Sequence, residues 1–134
     1  MTTENTLNEK IKKALGAYID RAAENQLTKA DLENILSALQ ETVFFVPVKK
    51  TGRKQVEIAG IGVCCAAEIV KALPVYTDFV ELALKYDMSV WAYEEWTIKE
   101  IEENSPYGHF VIDPEKYGDT FFFSVEEIER KLSK

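Results

Sequence analysis

Histidine occurs once in this chain of 134 residues, at His109, and cysteine twice, at the adjacent positions Cys64 and Cys65. This scarcity removes most of the side-chain chemistry that catalysis and metal binding draw on. A histidine-dependent triad needs a nucleophile and an orienting acid beside the imidazole. His109 instead follows the turn Ser105-Pro106-Tyr107-Gly108, where an exposed polar residue is expected. Four-coordinate zinc needs two good ligands beyond a cysteine pair, and the usual spacer between the thiols is missing. Cys64 and Cys65 read as small buried hydrophobes, and a nucleophilic thiol ranks last among the functional readings. Adjacent cysteines rarely bridge, because the ring is strained. Two free thiols fit a reducing cytoplasm.

Long apolar runs are also missing. No stretch of about 18 apolar residues occurs, so no membrane span is expected. The first residues show no basic stretch leading into an apolar one, so no secretory signal is expected either. Positive charge is in short supply, with 16 Lys and Arg against 23 Asp and Glu and a formal charge of −7. Such a surface repels phosphate backbones and anionic headgroups, which argues against nucleic acid or a membrane as partner. The cluster Lys49, Lys50, Arg53 and Lys54 around Gly52 lacks the spacing of a phosphate-binding P-loop and reads as a solvated hairpin tip.

What is present describes one ordinary domain over residues 1–134. An apolar content of 46% suffices for a packed core without disulfides or metal. Leu7, Ile11, Leu15, Tyr18, Ile19 and Ala22 recur at helical spacing, predicting an additional N-terminal helix within residues 1–27. A second helix opens at Thr28, with Asp31 placed to complete a capping box and Leu32, Ile35, Leu36 and Leu39 facing inward. The two should pack as a pair. Val43–Val46 predicts a buried strand that stops at Pro47, because proline has no N–H for the ladder. Gln55–Ile58 alternates as a half-buried strand. Residues 59–72 are ambiguous between helix and strand, with strand preferred from Ile69 to Tyr76.

Beyond that point Thr77 or Asp78 caps a short helix whose inward side is Phe79, Leu82, Ala83 and Tyr86. Ser89–Tyr93 predicts a strand, Thr97–Glu100 a capping box, and Phe110–Ile112 and Phe121–Phe123 two further short strands. Ser124 caps a terminal helix with Ile128 and Leu132 inward. Helices and strands interleave, so the expected class is α+β or α/β: a single-domain sandwich with a mixed β-sheet packed by helices and an N-terminal helix pair.

Four blocks of the sequence resemble the N-terminal domain of the SseB family, named for enhanced serine sensitivity. They are Val43-Phe44-Phe45-Val46-Pro47, Leu73-Pro74-Val75-Tyr76-Thr77-Asp78, Val111-Ile112-Asp113-Pro114, and Phe121-Phe122-Phe123-Ser124 heading a helix. Together they span roughly residues 28–132. Asp113 departs from the pattern, standing where the family usually has asparagine. The resemblance implies a bacterial α/β sandwich with a mixed sheet and a link to serine tolerance, and it brings no catalytic residues with it.

The candidate surfaces are therefore for binding. Trp91, Tyr93 and Trp96 lie beside Glu94, Glu95, Glu100, Glu102 and Glu103, and exposed aromatics in an acidic stretch suit a protein partner. For Trp96, an exposed anchor and a cover for the core edge are equally open. Tyr76, Thr77 and Asp78 precede a helix whose free amides suit an anion or small molecule, although capping already explains Thr77 and Asp78. The leading expectation is a non-catalytic protein-interaction module. The alternative is a small-molecule or anion-binding regulatory domain. No cofactor or metal is expected, and the residues do not specify an oligomeric state.

Overall fold

The structure is a computed structural model that describes residues 8–52, 55–65 and 68–132, with backbone alone at 50–52, 55–57, 64, 65 and 132. Six helices and seven strands are present among these residues. In chain order they are α1 (Glu9–Ala23), α2 (Lys29–Leu39), β1 (Phe44–Gly52), β2 (Gln55–Ile58), β3 (Ile61–Cys65), β4 (Glu68–Val75), α3 (Phe79–Lys85), β5 (Ala92–Trp96), α4 (Ile98–Asn104), β6 (His109–Ile112), α5 (Pro114–Tyr117), β7 (Phe122–Ser124) and α6 (Val125–Leu132).

Ile11 and Leu15, four apart on α1, are fully buried against Ile35 and Leu39 of α2, so the helix pair forms as its spacing predicts. The Arg21 guanidinium meets the Asp31 carboxylate at 3.1 Å, and Asp31 also accepts the Thr28 N–H at 2.8 Å. One buried carboxylate thus caps α2 and ties it to α1. Thr97 and Glu100 make the corresponding reciprocal cap at α4.

The strands form two sheets, ordered β2-β1-β5 and β3-β4-β6-β7. In the second, β4 runs parallel to β6 and antiparallel to β3, and β6 pairs antiparallel with β7, so the sheet is mixed. Phe45 and Tyr76 exchange two main-chain hydrogen bonds, of 2.8 and 3.0 Å, and this bridge links the sheets. The larger core lies on one face. There Phe44, Val46, Leu73, Val75, Phe110 and Ile112 meet α1, α2, α4 and α6. On the opposite face, Phe45, Ala59 and Tyr76 meet Leu82 and Tyr86 around α3. The class is the expected α+β one.

The bounds of two strands differ by three residues or more from expectation. β1 continues through Pro47 to Gly52. Phe45 turns its amide and carbonyl toward Tyr76, and alternation along the strand turns the Pro47 nitrogen to that same side. There β1 is passing from its bridge with Tyr76 to its pairing with β2, and the Pro47 carbonyl still accepts the Ala59 N–H at 3.2 Å, so the missing N–H costs at most the one reciprocal bond at the end of the ladder. The fifth strand starts at Ala92 rather than Ser89, because Asp87 accepts main-chain bonds from Val90 and Trp91 in a turn. Its side chain takes the Ser89 N–H and hydroxyl as well. The ambiguous stretch 59–72 contains β3 and the first part of β4.

Gly60 follows β2 at a close approach. A Cβ there would stand 2.6 Å from Tyr107 Cζ. The Tyr107 ring is tethered by its hydroxyl, which donates to the Ile58 carbonyl at 3.3 Å. Gly60→Ala is expected to lower stability by about 1–3 kcal/mol through overpacking. Denaturant titration should show the midpoint falling, and an unchanged midpoint would mean that the ring moves freely.

Candidate functional site

Asp78 fixes the start of α3. Its carboxylate accepts the Val80 N–H at 2.9 Å and meets Lys12 of α1 at 3.1 Å. Burial raises this carboxyl, but the Val80 N–H and the Lys12 ammonium outweigh it, so Asp78 titrates below the usual carboxylate range. The cap turns the first residues of α3 outward. Leu82 and Tyr86 are buried, whereas Phe79 is 39% exposed, Val80 59% and Leu84 79%. Phe79 was expected on the inward side; it lies instead on the surface, beside a second apolar stripe made by Val80 and Leu84.

β5 supplies the other half. Tyr93, 42% exposed, stands on the same sheet face as Phe45. Ring centroids are 5.0 Å apart for Phe79–Tyr93, 5.5 Å for Phe45–Tyr93 and 6.4 Å for Phe45–Phe79. The Phe79–Tyr93 pair forms a ridge. On one side is a hollow of about 230 Å³, walled by Phe45, Val80, Thr77, Asp78 and Lys12 as well as the ridge itself. On the other is a shallower one of about 280 Å³, against Met88, Trp91 and Ala92. Trp91 packs edge-to-face on Tyr86 at 5.0 Å, and the Lys49 ammonium stands 5.9 Å from the Trp91 ring centre.

Under the hollow lies a buried polar layer. Asp113 holds a left-handed backbone (φ 45°) and accepts both the Thr77 N–H, at 2.9 Å, and the Thr77 hydroxyl, at 2.7 Å. Burial raises the Asp113 carboxyl above the usual range, and the two Thr77 bonds only partly offset this. Tyr76 is fully buried and donates its hydroxyl to Glu115. Burial and that bond drive its ionisation far above the normal tyrosine value. Burial also raises Tyr86, to about 12, so both phenols are neutral donors at any ordinary pH.

Tyr93 and Trp91 therefore share a surface with Thr77 and Asp78, and Tyr76 lies beneath it. Trp96 does not join them. It is 5% exposed, packs in the larger core and donates its indole N–H to Glu94 at 3.0 Å. Of its two readings the structure takes the cover for the core edge, because Trp96 and Tyr93 point to opposite faces of β5. Several of the donors expected to attract an anion are taken. The Thr77 N–H and hydroxyl bond to Asp113, and Asp78 accepts the Val80 N–H of α3. His109 stacks on Phe122 at 4.9 Å, with the rings 5° from parallel. The side chains of Cys64 and Cys65, and all of Arg53 and Lys54, lie outside the described residues.

Sequence reading missed Phe45, Phe79, Val80 and Leu84 as surface contributors. The i,i+4 pair Val80 and Leu84, on the side of α3 opposite Leu82, was the available signal. Among the described residues, no group of three or more His, Cys, Asp or Glu is arranged to hold a metal ion. No helix there is long and apolar enough to cross a membrane. Fold and site together define an α+β domain with an exposed aromatic ridge. Comparison with protein-family models, curated proteins and solved structures yields no match.

Proposed function

We propose that this domain is a non-catalytic protein-interaction module whose contact surface is the Phe79–Tyr93 ridge and the hollows beside it. One observation carries this reading. Phe79, Tyr93, Val80 and Leu84 are exposed together, around a ring cluster that the described residues leave half covered. Clustered aromatics at a rimmed hollow are what binding hot spots are made of. The SseB resemblance is consistent with this reading and adds a bacterial, cytoplasmic setting and the link to serine tolerance as parts of the proposal.

The test is recovery of partners from the native cell extract with Tyr93→Ala and Phe79→Ala variants, after thermal melts establish that each is folded. Loss of a hot-spot aromatic should weaken binding by about 2 kcal/mol, roughly 30-fold. Equal recovery by both variants would remove the surface from consideration. The alternative, a small-molecule or anion-binding regulatory domain, uses the same hollow with Lys12 at its wall. Because Asp113 and Asp78 already accept the Thr77 and Val80 N–H groups and place two carboxylates there, serine, sulfur metabolites and inorganic phosphate at millimolar concentration are expected to leave the melting temperature unchanged. A clear upward shift with any of them would favour the alternative.

A further inference from the structure

We propose that the outer edge of β5 is a strand-addition site, at which an extended basic segment of a partner protein pairs with the main chain of Tyr93 and Glu95 and seats an apolar side chain on the Phe79–Tyr93 ridge. This rests on the interaction reading above and specifies its geometry and chemistry.

The geometry follows from the bridge between the sheets. Phe45 gives both its main-chain groups to Tyr76. Along an antiparallel strand, successive residues turn these groups to opposite sides. Phe44, Val46 and Val48 therefore face β5, where they stand opposite Trp96, Glu94 and Ala92. Those three β5 residues bond inward, which leaves the amides and carbonyls of Tyr93 and Glu95 pointing away from the sheet. Among the described residues no other strand pairs with β5, and Tyr93, Glu94 and Glu95 are all exposed. An uncovered edge of this kind is a template for another chain.

Charge selects the occupant. Glu95 shares the sheet face of Tyr93 and makes no ion pair or hydrogen bond among the described residues. Of the cations beside the ridge, Lys12 is matched by Asp78 and Lys49 stands over the Trp91 ring. A second copy of the chain fits poorly. Pairing Tyr93 with a copy's Glu95 sets Glu94 opposite its own counterpart, pairing Tyr93 with a copy's Tyr93 leaves Glu95 without a cation opposite it, and every register joins two chains of formal charge −7. An antiparallel segment reading basic-x-apolar fits instead, with its Lys or Arg opposite Glu95 and its apolar residue opposite Tyr93. The side chains of both point to the aromatic face.

The test uses the peptide acetyl-STRTFTS-amide titrated into the full chain and followed by amide NMR and hydrogen exchange. Saturation is expected to slow exchange of the Tyr93 and Glu95 amides by about tenfold or more. N-methylation at the Arg and Phe of the peptide removes the N–H groups that face β5, and should weaken binding by about tenfold or more. N-methylation at the two flanking Thr residues, whose N–H groups face away, should leave affinity within about twofold. Replacing the peptide Arg by Glu should also weaken binding. On the protein side, Glu95→Pro deletes one outward donor and no inward bond, and should abolish the slowed exchange at Tyr93. If that variant fails to fold, the N-methyl series decides alone.

Equal affinity for the two N-methylated peptides, with shifts confined to Phe79, Val80 and Leu84, would overturn strand addition while the ridge remained a docking surface. No shift at millimolar peptide would also overturn it, and the Tyr93→Ala recovery experiment judges the broader reading separately. Slowed exchange that grows with protein concentration alone, together with a dimer in sedimentation, would give the edge to a second copy and overturn the proposal.

Discussion

Asp113→Ala is expected to lower the melting temperature at pH 7 by about 10 °C, whereas Asp113→Asn is expected to raise it. Alanine leaves the buried Thr77 N–H and hydroxyl without acceptors, a penalty of about 1–3 kcal/mol for each group. It also forces a residue other than Asn, Asp or Gly into the left-handed region, at φ 45°, for about 1 kcal/mol more. Removing a buried carboxylate returns part of this, so the net loss is about 2–4 kcal/mol. In a domain of this size each kcal/mol moves the midpoint by about 3–5 °C. Asparagine keeps the fit. Its carbonyl accepts the Thr77 N–H, its backbone tolerates positive φ, and its amide donates to the Thr77 hydroxyl, which changes from donor to acceptor, a smaller loss than the carboxylate's burial costs at pH 7.

The pH dependence gives this prediction its sign. Burial raises Asp113 in the folded chain, so the folded state holds its proton more tightly than the unfolded state does. The stabilisation from that proton is complete below the ordinary carboxylate value of about 4 and is lost as pH rises through the folded value. Asparagine has no proton to lose. The advantage of Asp113→Asn over the natural chain should therefore grow as pH rises from about 4 and then level off. Thermal melts across that range check this, and an advantage that is constant or shrinks with pH would show that the charged form is not penalised.

Asn8→Ala is expected to cost about 3–5 kcal/mol. The buried Asn8 side chain donates to the Val43 carbonyl at 2.7 Å and the Thr77 carbonyl at 3.1 Å, and accepts the Val43 N–H at 3.0 Å. It does so from φ 63°, just before α1. One amide thus joins the first helix to the start of β1 and to the segment after β4. Asn8→Gly relieves the backbone and should recover about 1 kcal/mol of the loss. Asn8→Asp should be worse than glycine, since it places a carboxylate against two carbonyl oxygens. Urea unfolding of the three variants gives this order directly; a loss below about 1 kcal/mol for alanine would mean that water replaces the amide.

Local rules made much of the fold legible in the residues. Helical spacing located α1 and α2, and the S/T-x-x-D/E signals marked Thr28, Thr97 and Ser124. Pro47 misled because the strand rule assumes one partner on each side, and only the tertiary arrangement shows β1 changing partner there. For the site, Trp91, Tyr93, Thr77 and Asp78 converge in space, but Trp96 was on the wrong face. Placing the strand at Ser89–Tyr93 instead of Ala92–Trp96 hid the alternation that sets Trp96 with Ala92 and Glu94, away from Tyr93 and Glu95. The Asn8 clamp was invisible for a different reason. Its partners lie 35 and 69 residues away, and no periodicity announces such a contact.

The bridge at Phe45 and Tyr76 has a mechanical meaning. Among the described residues it is the one strand-to-strand bridge between the two sheets, and beyond it the Asn8 amide, the Tyr107 hydroxyl and packed apolar side chains join them. A pull that separates the β2-β1-β5 layer from the other sheet therefore loads the two Phe45–Tyr76 bonds, the Asn8 amide and the Tyr107 hydroxyl together.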